Sequence, residues 1–247
     1  MCYYSIVMTE KEIITISEAA EILGVSIDTL RRWDKSGKLK PVKTSGAGYR
    51  LYSQSQIELF LNDLLSTAND WVHKNTEIPS ELYCANSAVF QTRLSRMQDV
   101  LSESKELNLI FPLIVAVAGE IGNNSFDHNL GNWPDTPGIF FGYDTHKRYI
   151  ILADRGLGIL ATLKRVKPEL DSDQKALEVA FTEILSGRAP ESRGNGLKFV
   201  RKIVAENSIG LVFRTGDAKL ILTKDSDVLD IRQSSDPFRG CLALITF

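Results

Sequence analysis

One stretch decides the fold of the C-terminal half of the chain: AVAGEIGNNSFDHN, residues 116–129. Apolar residues recur at helical spacing upstream of Glu120, and this pattern predicts the end of a long helix. Glu120 and Asn124 lie one turn apart on the same helix face, and Asp127 and His128 follow on it. An amide oxygen can bind Mg²⁺, and a carboxylate can accept a proton from an attacking water or hydroxyl. Polar helix faces often contain such a pair, so the motif alone is weak.

A second motif is YIILADRGLG, residues 149–158. It predicts an apolar strand that ends at Asp154 and opens into a turn containing Gly156 and Gly158. Missing side chains at the two glycines let the backbone approach a flat ligand closely. A carboxylate at the strand end can accept a hydrogen bond from an exocyclic amine. Taken alone, the motif is more typical of an Asp-Gly turn in a surface loop.

A third motif is RGNGLKFV, residues 193–200, in which a glycine-rich turn opens an apolar helix over 197–206. Backbone N–H groups at a helix N-terminus favour phosphate oxygens. Arg193 and Lys198 are candidate additional phosphate partners.

Together, and in this order, the three motifs resemble the N, G1 and G2 boxes of the GHKL ATP-binding fold. That superfamily includes DNA gyrase, MutL, heat-shock chaperones, sensor histidine kinases and anti-sigma serine kinases. The resemblance spans nearly all of 110–247. It implies a Bergerat-type α/β sandwich, with a mixed but mostly antiparallel sheet and Mg²⁺-ATP in an open groove.

The same resemblance implies residue roles. Glu120 would be the catalytic base, Asn124 the Mg²⁺ ligand and Asp154 the reader of adenine. Gly156 and Gly158 would shape the purine pocket. The other candidate nucleotide contacts are Asp127, Arg193, Gly194, Asn195, Gly196, Leu197 and Lys198.

Residues 159–193 would form the lid of this pocket. They carry apolar residues at helical spacing between Ala176 and Phe181, so part of the lid is expected to be an ordered helix. Ser186-Gly187-Arg188 offers a hinge and a cation that could reach the γ-phosphate, or a solvated loop arginine. The third box has a single G-x-G-L, and no histidine lies in a phospho-acceptor helix of the sensor-kinase kind.

The N-terminal region reads as short helices followed by a hairpin. Ser17 is predicted to cap a helix over 18–23, and Ser26 a second helix over 27–36 that Gly37 ends. Two short β runs then flank a glycine-bearing tip at 44–48, and Ser53 or Ser55 could cap a third helix through Leu65.

The run ITISEAAEILGVSIDTLRRWDKSGKL, with GYRLYSQSQIELFL after it, resembles the winged helix-turn-helix of MerR-type regulators and phage excisionases. The resemblance covers about 55 residues and implies that helix 27–36 enters the major groove of DNA. The candidate DNA contacts are Thr29, Arg31, Arg32 and Lys35 on the helix, and Tyr49 and Arg50 on the wing. Trp33 and Tyr52 are interpreted as core aromatics.

Charge along the chain fits this interpretation. Seven basic residues and one acid lie between Arg31 and Arg50, although the net charge of the whole chain is −2. A basic face of this kind binds an anion or is simply solvated. A single small module would bind DNA weakly, so we expect two copies on one site.

A stripe of apolar residues lies between the two regions: Phe90, Leu94, Met97 and Leu101 recur at spacings of four, three and four. It could pack on the C-terminal domain of its own chain or form a dimer interface. The charge-separated long coiled coil through which MerR dimers form is not evident.

We expect a cytoplasmic protein, because we find no signal peptide and no apolar run of membrane-spanning length. Three cysteines, far apart, suggest neither a disulfide framework nor a zinc site. We expect an α+β chain: a winged helix-turn-helix over 1–65, a linker and amphipathic helix over 66–108, and a GHKL-type domain over 109–247.

The predicted function is a DNA-binding regulator whose C-terminal domain binds Mg²⁺-ATP and couples nucleotide state to DNA or partner binding. We expect a homodimer and/or a regulatory protein partner, and no membrane partner. The alternatives are a protein serine/threonine kinase of the anti-sigma kind, a slow GHKL ATPase, or a nucleotide sensor without turnover.

Overall fold

The computed structural model describes residues 13–23, 26–37, 39–44, 48–74, 76–145, 147–183, 196–226 and 228–247. Its chain forms two compact units, Met1–Ser66 and Thr67–Phe247. The fold class is α+β, as the sequence predicts. Among the described residues, no helix combines the length and the apolar character that crossing a membrane requires.

The first unit is a small helical domain with a three-stranded sheet. Its sheet has the order β1-β3-β2, and both pairings are antiparallel. A core that includes Ala19, Leu30 and Tyr52 lies between the helices and the sheet. The elements are β1 (Ile13–Thr15), α1 (Ile16–Leu23), α2 (Ile27–Ser36), β2 (Lys43–Thr44), β3 (Arg50–Ser53) and α3 (Gln54–Lys74), whose residues from Thr67 onward belong to the second unit.

Capping explains where the helices begin and end. Ser26 Oγ accepts a hydrogen bond from Thr29 N (3.1 Å), and Gly37 ends α2 with φ of 77°, both as predicted. The prediction of Ser17 as the cap of α1 is wrong. Thr15 takes that role, because Glu18 N donates to its Oγ1 (3.3 Å) and Thr15 N donates to the Glu18 carboxylate (2.7 Å).

Helix α3 differs from its prediction in length. Ser53 Oγ caps it by accepting from Gln56 N (3.1 Å), which decides between Ser53 and Ser55. The helix then continues to Lys74 instead of ending at Leu65, so the expected boundary at 65/66 falls inside a helix.

The second unit combines a five-stranded sheet with helices. Its elements are a 3-10 turn (Ser80–Leu82), β4 (Tyr83–Cys84), α4 (Ser87–Ser102), α5 (Phe111–Asn129), β5 (Ile139–Asp144), β6 (Tyr149–Asp154), α6 (Gly158–Leu163), α7 (Asp173–Thr182), α8 (Gly196–Glu206), β7 (Gly210–Leu222) and β8 (Asp230–Thr246). Strand order is β4-β5-β6-β8-β7. Every pairing between these described strands is antiparallel, where the sequence led us to expect a mixed sheet.

Helices α4, α5, α7 and α8 share one core with one face of this sheet. The stripe predicted at Phe90, Leu94, Met97 and Leu101 is buried in that core, so it packs within its own chain. Gly122 allows α4 and α5 to meet closely, because a Cβ there would fall within 3.0 Å of the Phe90 ring. The predicted linker region 66–108 thus contains α4, which belongs to the second unit's core, and β4, which is an edge strand of its sheet.

Register decides which side chains reach the helices. On the face away from that core, paired residues of the five strands form one cross-strand row. The row consists of Tyr83, Phe140, Ala153, Leu242 and Arg214. The end of α3 covers this row: the Trp71 and Tyr83 rings lie 6.2 Å apart, and Arg214 Nη1 donates to Asn69 Oδ1 at 3.5 Å.

Asp154 belongs to the other face. It pairs with Ile139, which is part of the helix-side core, so its carboxyl group points toward the helices. Arg155, one residue on, points the opposite way, and its guanidinium lies 5.6 Å from the centroid of the Trp71 ring.

Candidate functional site

A cavity of about 690 Å³ lies between the sheet and helices α5, α6, α7 and α8. It brings together residues from all three sequence motifs, although 19 residues lie between the first motif and the second, and 34 between the second and the third. The predicted site residues that line it are Glu120, Asn124, Asp127, Asp154, Gly158, Gly196 and Leu197. Gly156 and Lys198 are described but do not line it, whereas Arg193, Gly194, Asn195 and the hinge at 186–188 lie outside the described residues.

One wall of the cavity is the polar face of α5. Asn124 Nδ2 donates to Glu120 Oε1 at 3.4 Å, so the two side chains are neighbours as their spacing predicts. The first residue of α8, Gly196, lies against the same carboxylate. A carboxylate at a helix N-terminus is electrostatically favourable, and the arrangement brings α5 and the start of α8 to one place.

Asp154, at the end of β6, lines the cavity on the side of the sheet and is 1% exposed. Its Oδ2 accepts from Ser125 Oγ (2.8 Å) and its Oδ1 from Gly156 N (2.8 Å). Burial raises the pKa of Asp154 from 3.8 to about 6, against the opposing effect of hydrogen bonds from Ser125, Gly156 N and Cys241 N. The site thus contains a buried carboxylate with donors already on both oxygens.

Side chains from two other elements hold the turn that follows β6. Leu157 N donates to Asn129 Oδ1 (2.9 Å) at the end of α5, and Ile159 N donates to Thr215 Oγ1 (3.1 Å) on β7. Gly158 needs its glycine because its φ is 78°. Sequence reasoning missed Ser125, Asn129 and Thr215 as supports of the site, because each acts across at least 28 residues of chain.

Apolar side chains complete the cavity. Its lining includes Ile121, Ile159, Leu163, Ala180, Phe199 and Phe213. Ala180 lies on α7, where Ala176, Leu177 and Phe181 are buried. The prediction that part of 159–193 is an ordered helix is confirmed, and α7 packs in the core of the second unit.

Lys198 lies one residue beyond the lining residue Leu197. Its Nζ is buried and has no hydrogen-bond partner among the described residues. Burial lowers the pKa of this ammonium group. A buried cation without a partner is costly, and an anion beside it would remove that cost.

In the first unit, α2 exposes the basic residues predicted to contact DNA. Arg31, Arg32 and Lys35 are exposed, and Thr29 is half-buried. Arg31 Nη1 pairs with Asp28 (2.8 Å), and Arg32 Nη2 donates to Thr29 Oγ1 (3.2 Å). Both contacts are exposed and local, so they leave the guanidinium groups at the helix surface.

The two wing residues differ. Tyr49 is 69% exposed, while Arg50 Nε donates to Asp34 Oδ2 on α2 at 2.6 Å. The ion pair of Arg50 with Asp34 therefore links β3 to α2, in addition to any contact that Arg50 makes with DNA phosphate. Tyr52 is fully buried and Trp33 packs against the same core, so the interpretation of both as core aromatics is confirmed.

Comparison with known proteins finds a family match within this first unit. A family model described as MerR family regulatory protein matches residues 15–52. The chain is similar to the Type II methyltransferase M.Eco47II of Escherichia coli, with 38% identity over 73 residues, 30% of this chain and 17% of that protein. It is also similar to a "Probable heavy metal-dependent transcriptional regulator" of Haemophilus influenzae, with 44% identity over 43 residues, 17% of this chain and 34% of that protein.

These matches cover about a sixth and a third of the two relatives' lengths. Residues 15–52 form a MerR-family helix-turn-helix domain. The matching family model does not extend to the second unit, whose resemblance to the GHKL fold rests on its three sequence motifs.

Proposed function

We propose that this chain, with its MerR-family helix-turn-helix domain, is a DNA-binding regulator whose second unit binds Mg²⁺-ATP. One observation carries the proposal: seven residues predicted from three separated motifs line one cavity. Its volume of about 690 Å³ is within the range of small-molecule sites. On this proposal the five-stranded sheet and its helices are a Bergerat-type sandwich of the GHKL superfamily.

The purine would bind at Asp154. The carboxyl group is buried, which raises its pKa to about 6, and in its ionised form it would accept a hydrogen bond from the exocyclic amine of adenine. Gly158 would let the backbone lie close to the ring, and apolar residues such as Ile159 and Phe213 would cover its faces.

The phosphates would bind between α5 and α8. The residues present fit them, because Gly196 opens α8 at the cavity. Lys198 is outside the lining but adjacent to it in sequence, and its Nζ is buried without a hydrogen-bond partner among the described residues. Asn124 would supply one oxygen ligand to Mg²⁺, which keeps several waters and takes the others from phosphate. Arg193, Gly194 and Asn195, which lie outside the described residues, remain candidate contacts.

DNA would be read by α2. Its exposed basic residues would meet the major groove and the backbone phosphates, with Tyr49 on the wing beside them. A module of this size binds nonspecific DNA with a Kd of about 10⁻⁴–10⁻⁶ M, so useful affinity calls for two copies. We propose a homodimer, or a complex with a regulatory protein partner.

Nucleotide state would control DNA or partner binding. Such coupling requires that ATP bind two states of the chain with different affinity, and it is reciprocal. The test is fluorescence anisotropy of labelled duplex DNA with the full chain, without nucleotide and with saturating Mg²⁺-ATP. The proposal predicts different DNA Kd values, and equal values in both conditions would contradict the coupling.

A second candidate function is slow turnover of ATP, which Glu120 favours because its carboxylate lies in the cavity wall beside Asn124. The base would take a proton from water in an ATPase, or from a hydroxyl in a protein serine/threonine kinase. Glu120→Gln should abolish phosphate release while Mg²⁺-ATP still binds. Incubation with γ-labelled ATP separates the two reactions, because a kinase leaves the label on protein.

A further inference from the structure

The end of α5 and the turn after β6 are joined by one buried side chain. Asn129 is 4% exposed and lines the cavity. Its Nδ2 donates to Ser125 O (2.8 Å) within α5, and its Oδ1 accepts from Leu157 N (2.9 Å) in the turn. The amide therefore satisfies one group on each element at the same time.

The backbone of the turn at Gly156 also lies close to the Asn129 amide. A Cβ built on Gly156 would fall within 3.0 Å of the Asn129 amide atoms, so no larger residue fits at 156 while Asn129 is in place. Gly156 does not have the positive φ that would itself demand glycine. Its glycine is explained by the close approach to Asn129.

We propose that Asn129 is a positioning residue that holds the purine-binding turn in register with the Mg²⁺ and phosphate wall of α5. This inference rests on the proposed function. Asp154 and Gly158 lie on the turn side of the link, and Glu120 and Asn124 lie on the α5 side. A nucleotide spans both sides, so the benefit of its phosphates depends on the spacing that Asn129 sets.

Thr215 provides a matched comparison. Thr215 lies on β7, and its Oγ1 accepts from Ile159 N at the start of α6, directly after the turn. Among the described residues it makes no hydrogen bond to α5. Asn129→Ala and Thr215→Ala should each loosen the turn. Asn129→Ala should in addition loosen the connection of the turn to the wall that carries Asn124, where the Ser125–Asp154 hydrogen bond remains.

The experiment measures calorimetric Kd values for adenosine and for Mg²⁺-ATP with the full-length chain and each variant. The readout is the ratio of the adenosine Kd to the Mg²⁺-ATP Kd, which reports how much the phosphates add. Asn129→Ala should lower this ratio about tenfold, the scale of one buried hydrogen-bonding group. Thr215→Ala should weaken both ligands together and leave the ratio unchanged.

A compensating pair tests the same contact without relying on one variant. Gly156→Ala should weaken adenosine binding, because its methyl group meets the Asn129 amide. Gly156→Ala with Asn129→Ala should bind adenosine more tightly than Gly156→Ala alone, because the smaller side chain leaves room. Melting temperatures identify any variant that does not fold.

The outcomes separate the two proposals. If the wild-type chain binds neither ligand, the proposed function fails. If the wild-type chain binds both but Asn129→Ala leaves the ratio unchanged and the double variant shows additive losses, the role of Asn129 is overturned.

Discussion

The carboxylate of Glu120 lies directly against Gly196, the first residue of α8. A Cβ built on Gly196 would fall within 3.0 Å of Glu120 Oε1. The α8 N-terminus and the proposed catalytic carboxylate thus occupy adjoining positions in the cavity wall. This contact explains the glycine at position 196 of the third motif.

Gly196→Ala should therefore weaken Mg²⁺-ATP binding by about tenfold or more, since the methyl group must displace either the carboxylate or α8. Alanine is the better helix former, so helix propensity does not account for a loss. Calorimetry with the full chain measures the change. Adding Glu120→Ala should restore part of the affinity, whereas wild-type affinity in Gly196→Ala alone would contradict the contact.

Asp154 should make the stability of the second unit depend on pH. Folding raises the pKa of Asp154 from 3.8 to about 6, so the folded chain binds more protons than the unfolded chain between these values. The contribution of Asp154 to the free energy of unfolding is then greatest below pH 3.8 and falls as pH rises to about 6, by on the order of 3 kcal/mol.

Asp154→Asn removes this titration. Urea unfolding of wild type and variant at several pH values measures the difference in their free energies of unfolding. That difference should shift in favour of the variant as pH rises from 4 to 6 and level off above. A difference that stays constant with pH would contradict the raised pKa.

Phe90 anchors α4 on α5, because it is fully buried and fills the space that Gly122 leaves open. Phe90→Ala should lower the free energy of unfolding by about 3–5 kcal/mol through the cavity it creates. Val100 on the same helix is 44% exposed, so Val100→Ala should stay within about 0.5 kcal/mol of wild type. Equal effects of the two substitutions would mean that the stripe does not pack as described.

The Arg50–Asp34 pair should influence DNA binding through the position of the wing. Asp34→Asn weakens the link at 2.6 Å without removing a positive charge, so DNA affinity should fall with little change in its salt dependence. Arg32→Ala should instead reduce the slope of log K against log salt by about 1, as expected for a lost phosphate contact. Anisotropy titrations with one duplex at several salt concentrations measure both. A slope that changes more in Asp34→Asn than in Arg32→Ala would contradict these roles.

Local signals in the sequence were enough for several elements. Ser26 caps the start of α2 and Gly37 ends it, as predicted, because capping depends on residues within one turn. The same local logic misplaced the start of α1, since Thr15 and Glu18 form a reciprocal cap that outcompetes Ser17. No stop signal marks the end of α3 near Leu65, and its continuation depends on burial of Ala68, Trp71 and Val72.

The candidate site was predicted in its motifs but not in its supports. Helical spacing was enough to pair Glu120 with Asn124. The end of an apolar run was enough to single out Asp154. Ser125, Asn129 and Thr215 act across the chain, and nothing in their own neighbourhoods indicates those contacts. The antiparallel pairing of every described strand also depends on long-range register, which periodicity does not contain.

The measurement that tests the central claim most directly is calorimetric titration of Mg²⁺-ATP into the full chain and into Asp154→Asn. The account predicts saturable binding to wild type and affinity about tenfold weaker in the variant, because an amide NH₂ would face the adenine amine. Absence of binding by folded wild-type chain at millimolar Mg²⁺-ATP would contradict it.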